Sequence, residues 1–162
     1  MASFNYWYNK AAVLLDKKEL DLHASASLKV MLTTDTHVPN KDDAFINDSG
    51  ADDALDGEID AVTNYAGGFD GDGRKVLGTP TVTVDTSNDR AVFDATGHPT
   101  WSDLGGTVNA IVMYATIVSE VSSDADSPVI LTLDVNSTAG IQTNGGDFVI
   151  QFNAAGIGYS QQ

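Results

Sequence analysis

The sequence predicts a mainly β protein, an antiparallel β-sandwich-like domain with one N-terminal helix and a long acidic loop or arm. Three observations predict it. Two short β-branched segments flank a cluster of turn residues at 81–94, a run at 110–118 is almost wholly apolar, and helical spacing is clearest near the N-terminus. At 162 residues the chain suits a single domain spanning 1–162, and a chain of this size buries roughly two-thirds of its unfolded surface.

The first predicted element is a helix from Tyr6 to Leu15. Tyr8, Ala11 and Leu15 recur at helical spacing, and Asn5 is placed to act as the N-cap. The neighbouring aromatic residues are expected to hold this helix against a face of the sheet, because aromatic side chains supply much of the buried area in a small domain.

A strand is predicted next at 28–33, and a long acidic region follows it at 34–78. Eleven of the 23 acidic residues lie between Asp35 and Asp72. Spacing within 52–62 suggests a short helical segment. A connection this long inside a compact domain is usually functional or packed on its own side chains. We therefore expect 34–78 to form an extended acidic loop or arm that leaves the sheet.

This arm is the predicted partner-binding part of the chain. It is too long for a simple connection and too poor in apolar residues to form a core alone. Its larger apolar side chains are expected to be buried against another protein, and these are Phe45, Ile46, Leu55, Ile59 and Tyr65. The alternative is that the same residues cover this protein's own sheet.

The middle of the chain predicts a hairpin and the central strand. Thr81–Asp85 and Arg90–Asp94 alternate around a polar turn, which is typical of a hairpin with one solvated face. Ala110–Val118 has apolar residues on both faces, so it should be the central strand, covered on both sides. Trp101, between them, is expected in the core or at its rim.

Two strands are predicted near the C-terminus. Val129–Val135 alternates, as does Asp147–Asn153, where Phe148, Ile150 and Phe152 share a face. Turns predicted at Gly140 and at 144–146 separate them, as expected for antiparallel neighbours.

Charge excludes one class of partner. The net charge is −15, and no Lys or Arg follows Arg90. Nucleic-acid binding depends on cations that displace counterions from phosphates, so no nucleic-acid partner is expected. No membrane partner is expected either, because no apolar run approaches the roughly 18 residues of a membrane helix. The first residues also lack the basic and apolar regions of a signal peptide.

No pattern of catalytic or metal-binding residues stands out. The histidines, His23, His37 and His98, lie outside metal-binding spacings, and no nucleophile elbow of the GxSxG type occurs. Asp70–Gly73 is similar in part to a calcium loop but lacks its third acid and distal Glu. The chain has no cysteine, which excludes cysteine nucleophiles and thiolate metal sites. Taken together, these patterns predict a protein that is not an enzyme, with no catalytic residue, cofactor or metal.

The order of features resembles a family of small tailed-bacteriophage virion structural proteins, of the capsid decoration or cement type. The similarity extends over nearly the whole chain. The matching segments are the helix at 9–15, the strand at 28–34, T-V-T-V-D at 81–85, N-D-R-A-V-F-D-A at 88–95, Trp101, A-I-V-M-Y at 110–114 and G-D-F-V-I-Q-F-N-A-A-G-I at 146–157.

This resemblance implies a component of the virion, at the capsid surface. It would bind and stabilise the shell of the major capsid protein, in many copies and near further copies of itself. The alternative is a head- or tail-fibre-associated module that binds host glycans. A glycan binder needs aromatic platforms at loop tips, whereas Trp7 and Trp101 sit beside predicted core segments, which favours the cement protein.

Overall fold

The computed structural model describes residues 5–23, 28–48, 54–59, 62–116, 123–135, 140–152 and 157–161. Within them lie one α-helix, a short 3-10 turn at Asp124–Asp126, and ten strands. The elements in chain order are β1 (Asn5–Trp7), α1 (Asn9–Asp16), β2 (Leu28–Thr33), β3 (Lys75–Val76), β4 (Pro80–Asp85), β5 (Arg90–Ala95), β6 (Thr100–Val108), β7 (Ala110–Ala115), β8 (Val129–Asp134), β9 (Ile141–Val149) and β10 (Gly158–Gln161).

The strands form three antiparallel groups. A five-stranded central sheet has the order β1-β8-β7-β2-β3, a three-stranded sheet has the order β10-β5-β4, and β6 pairs with β9 as a two-stranded ribbon. The predicted mainly β, antiparallel fold with one N-terminal helix is therefore confirmed.

Strand β7 lies in the middle of the central sheet, as its sequence predicts. It pairs with β2 on one side and β8 on the other, and each of its six residues is buried. Alternate residues enter two different cores, with Met113 in the first and Val112 and Tyr114 in the second. Polar alternation is missing because both faces are covered. The predicted run continues to Val118, but 117–118 lie outside the described residues.

The first core joins the central sheet to the other elements. It contains Leu14 from α1, Phe93 from β5, and Trp101 and Leu104 from β6. The helix, the three-stranded sheet and the ribbon thus pack over one face of the central sheet in a sandwich-like arrangement. Trp101 is 1% exposed, which confirms its predicted core position.

The helix begins later than predicted. Asn5–Trp7 is strand β1, paired with β8, and Tyr8 rather than Asn5 is the N-cap, in extended conformation. Aromatic residues favour strands, and pairing with β8 at the edge of the central sheet holds this short segment extended. Trp7 then packs on the first core and Tyr8 on the second.

Several apolar residues of 34–78 are buried against the central sheet, so the predicted arm leaving the sheet is not confirmed. Ile46 and Ala54 belong to the second core, Ile59 and Tyr65 to the first, and β3 adds a strand to the sheet. The helix predicted within 52–62 is wrong over 54–59, where turns lead to a bridge between Glu58 and Thr33. Residues 49–53 and 60–61 lie outside the described residues.

The turn predicted at 144–146 is instead part of strand β9. Leu104 pairs with Gly146 and Gly105 with Asn144, so Gly145 is an extra residue, with a φ of 81°. This is a β-bulge, a position where glycine relieves the strain of a positive φ. Strand β9 ends at Val149. Phe148, Ile150 and Phe152, predicted to share a face, all contact the first core.

A buried ionic cluster ties the 54–78 region to the 3-10 turn. The Arg74 guanidinium donates from Nε to Glu58 Oε1 at 2.7 Å and from Nη2 to Glu58 Oε2 at 2.6 Å. It also donates to the carboxylate of Asp124, and Tyr65 Oη donates to Glu58 Oε1 at 3.0 Å. Burial by itself lowers the pKa of Arg74, whereas the hydrogen bonds to the carboxylates of Glu58 and Asp124 raise it. The second effect is larger, so the pKa of Arg74 lies above its usual value.

Candidate functional site

An apolar pocket of about 520 Å³ opens between α1 and the β4–β5 hairpin. Its wall is formed by side chains from β1, α1, the segment after α1, and the hairpin. These residues are Trp7, Ala12, Leu15, Leu20, Asp21, Leu22, His23, Val82, Ala91 and Phe93. A pocket of this size and composition is typical of sites that take an apolar group.

The end of α1 brings the chain back over this pocket. Lys18 has a φ of 59°, its N–H donates to the Leu15 carbonyl at 3.0 Å, and the Glu19 N–H donates to the Leu14 carbonyl at 2.9 Å. These two bonds form a Schellman motif, which closes a helix and reverses the chain. As a result, Leu20 and Leu22 return to the pocket wall, opposite the hairpin.

The hairpin forms the other wall with one of its two faces. Val82 pairs with Phe93 and Val84 with Ala91, and directly paired residues share a face of a sheet. The Trp7 and Phe93 rings meet edge to face, with centroids 6.2 Å apart. Val84 lies on the same face at the end of this wall and is 77% exposed.

Polar groups of the pocket wall stand near its mouth. The His23 N–H donates to Asp21 Oδ1 at 2.8 Å, and both side chains are largely exposed. At the turn end of the hairpin, hydrogen bonds from the Asn88 amide and then from Arg90 hold the pKa of Asp85 below its usual range. Among the residues that the structure describes, the deeper wall carries no ionisable group. The arrangement therefore suits binding through shape and apolar contact.

The residues predicted to bind a partner are not in this pocket. Ile46 is 0% exposed, Ile59 1% and Tyr65 3%, so these three side chains present almost no surface to another protein. Their positions support the alternative that they cover this protein's own sheet. Phe45 and Leu55 are half-buried, with Lys10 Nζ 5.2 Å from the centre of the Phe45 ring. For Phe45 and Leu55, contact with a partner stays a prediction.

The potential cation ligands are also separated. Asp42 accepts a hydrogen bond from the Asn9 amide at 2.8 Å, and Asp70 and Asp72 lie exposed in a turn. Across the part of the chain that the structure describes, no group of three or more His, Asp or Glu side chains is placed to hold a metal. No helix there is long and apolar enough to cross a membrane.

Sequence reasoning missed the pocket, although it found most of the elements that form it. Leu20-Asp21-Leu22 directly after a polar helix end was the available signal, since two leucines there have no place on the helix face. What no local pattern gives is the distance between Leu22 and Val82, which are 60 residues apart in the chain.

The chain matches no protein family, no curated protein and no solved structure.

Proposed function

We propose that this protein is a non-enzymatic virion structural protein of a tailed bacteriophage. It acts as a capsid decoration or cement protein that binds the shell of the major capsid protein and stabilises it. Its site of action is the capsid surface, where many copies are present. Many modest contacts, repeated over a shell, give a large total stabilisation.

The observation that carries this proposal is the order of the segments that resemble the phage family. They coincide, in chain order, with α1, β2, β4, β5, β6, β7 and the end of β9. The resemblance extends over the framework of the fold and includes no catalytic motif, as expected of a structural protein. Function still depends on a surface, and the framework alone does not supply one.

The charge of the protein supports a basic protein partner. At −15 net, with its last 72 residues free of Lys and Arg, the chain repels nucleic acid and attracts positively charged protein surfaces. We accordingly expect no mobility shift of duplex DNA at low salt. A clear shift under those conditions would contradict this account of the charge.

The alternative function, host-glycan binding by a fibre-associated module, requires exposed aromatic rings. Trp101 and Tyr8 are 1% exposed and Tyr114 is 0% exposed, so none of them offers a platform. Trp7 is half-buried in the wall of the apolar pocket. These positions favour the cement protein over the glycan binder.

The test is binding to capsid shells assembled without this protein. We expect co-sedimentation to saturate at a fixed number of copies per shell, and the decorated shells to resist heat better than bare ones. Bovine serum albumin at the same concentration controls for trapping. Absence of binding, together with specific binding on a glycan array, would replace the proposal with its alternative.

A further inference from the structure

Within the described parts of the chain, strand β4 is an edge strand beside the apolar pocket. Among the described residues it pairs with β5 only, over the six residues Pro80–Asp85 and without a register shift. Natural edges are usually protected by charged residues, prolines or bulges. Here Pro80 and Asp85 stand at the two ends, while Thr83 and Val84 are exposed between them. The middle of this edge is therefore open to a further strand.

The direction of the backbone groups on β4 follows from its neighbours. The Phe93 carbonyl accepts a hydrogen bond from the Ile157 N–H at 2.7 Å, on the side of β5 that faces β10. Val82 and Phe93 are thus a non-hydrogen-bonded pair. Consequently Val82 and Val84 direct their N–H and C=O groups away from β5, toward the free edge.

The same two residues connect this edge to the pocket. Val82 is part of the pocket wall, and Val84 lies on the same face of the hairpin. A strand added along β4 would lie about 4.8 Å away, with alternate side chains on that face. Side chains directly opposite each other come within about 5.5 Å at their Cβ atoms. One side chain of an added strand therefore reaches the pocket.

Charge decides between two possible occupants of this edge. A second copy could pair its own β4 here, but each copy carries a net charge of −15. Like charges of this size oppose association, whereas a segment from a basic surface is attracted. Asp21, near the pocket, adds local negative charge, while Asp85 at the end of β4 is paired with Arg90.

We propose that β4 and the adjoining pocket bind an extended segment of a partner protein by strand addition. The segment is apolar at alternate residues, comes from a surface rich in Lys and Arg, and places one apolar side chain in the pocket. This inference rests on the proposed function, which supplies the partner as the capsid shell. Main-chain bonds give such a complex its affinity, and the pocket gives its specificity.

Two variants test the two halves of the surface by co-sedimentation with capsid shells. Val84→Pro removes an outward N–H and blocks strand addition, while the bonds to β5 remain. Ala12→Phe places a ring in the pocket from α1, away from the edge. Each should weaken shell binding about tenfold or more, the equivalent of about 1.4 kcal/mol.

Each variant has a matched control. Val84→Thr keeps the branched shape and both outward groups, and Val13→Phe adds the same ring to α1 at a position 47% exposed and outside the pocket wall. Both controls should bind shells like the unaltered protein. Urea unfolding of all four variants checks that each is folded, and the Ala12→Phe result stands by itself if Val84→Pro does not fold.

The outcomes separate this inference from the proposed function. If the unaltered protein binds shells and both test variants bind equally well, the inference is overturned and the function stands. If the unaltered protein binds no shell, the proposed function is overturned, and the inference that rests on it is overturned as well. If sedimentation velocity shows a dimer that Val84→Pro dissolves, the occupant is a second copy and the inference is overturned.

Discussion

The buried cluster around Arg74 gives the sharpest test of what stabilises this fold. Replacing Arg74 with Met removes a guanidinium that binds Glu58 through two nitrogens and also binds the Asp124 carboxylate. Methionine keeps much of the apolar volume. What remains is two carboxylates close together, at the contact between the 54–78 region and the 3-10 turn.

The magnitude follows from burial. The side chain of Arg74 is 0% exposed, that of Glu58 4% and that of Asp124 11%. Removing one partner of a buried ion pair typically costs about 3–5 kcal/mol, because the charges left behind are neither paired nor solvated. A domain of this size is stable by only about 5–15 kcal/mol. The Arg74→Met change should therefore lower the free energy of unfolding by a large fraction.

Urea unfolding followed by tryptophan fluorescence measures this loss close to the cluster. The indole N–H of Trp101 donates to the carbonyl of Gly73, the residue before Arg74. Arg90→Met is the matched control, because Arg90 pairs with Asp85 at 2.9 Å in a far more exposed position. Ion pairs that water reaches contribute little to stability, so the control should lose much less stability than Arg74→Met does.

A second variant separates charge from packing. In Arg74→Met combined with Glu58→Gln and Asp124→Asn, no charge is left buried, so much of the lost stability should return. The reasoning is refuted if Arg74→Met alone costs less than about 1 kcal/mol, the range of a solvated pair. It is refuted equally if the triple variant is no more stable than the single one.

Three further predictions concern the buried strand β7, two buried tyrosines and the segment 42–72. Val112→Asp, at a position 0% exposed in β7, should cost more than about 3 kcal/mol in urea unfolding, whereas Val13→Asp on the exposed side of α1 should cost far less. Burial raises the pKa of Tyr8 and of Tyr114 to about 12, from the usual 10.0. A raised pKa in the folded state gives stability that is complete below pH 10 and is lost as the pH rises toward 12, so urea midpoints should fall across that interval. Unchanged midpoints there would contradict the burial of these hydroxyls. Replacing 42–72 with a Gly-Ser linker should unfold the protein, since that segment supplies Ile46 and other core residues, and a native circular dichroism spectrum for this variant would show that the segment is dispensable.

The sequence by itself determined the elements whose burial follows from the local pattern of apolar and polar residues. The β4–β5 hairpin has one solvated face and a polar turn, so alternation and turn residues are sufficient to predict it. Strand β7 is covered on both faces, and its unbroken apolar run is sufficient to predict this. Similar patterns gave β2, β8 and the position of Trp101.

The start of the helix shows where a local pattern misleads. Tyr6 and Trp7 belong to the predicted helix and Asn5 is its predicted N-cap, yet all three pair with β8, more than 120 residues away. Spacing describes which side chains share a face of a helix. It gives no information on whether the same residues can pair with the edge strand of a distant sheet. The bulge at Gly145 is a similar case, because a glycine pair marks a turn or a bulge equally well.

Only the tertiary structure decided what 34–78 does and where the candidate binding surface lies. Outside 52–62 the apolar residues of 34–78 follow no regular spacing, and Ile46 and Tyr65 are buried by contacts with strands distant in the chain. Arg74 likewise finds Glu58 and Asp124 at separations of 16 and 50 residues. The pocket depends on the same kind of encounter, between the segment after α1 and a hairpin 60 residues later. Periodicity encodes which residues of one element share a face, whereas burial between distant elements depends on how the whole chain packs.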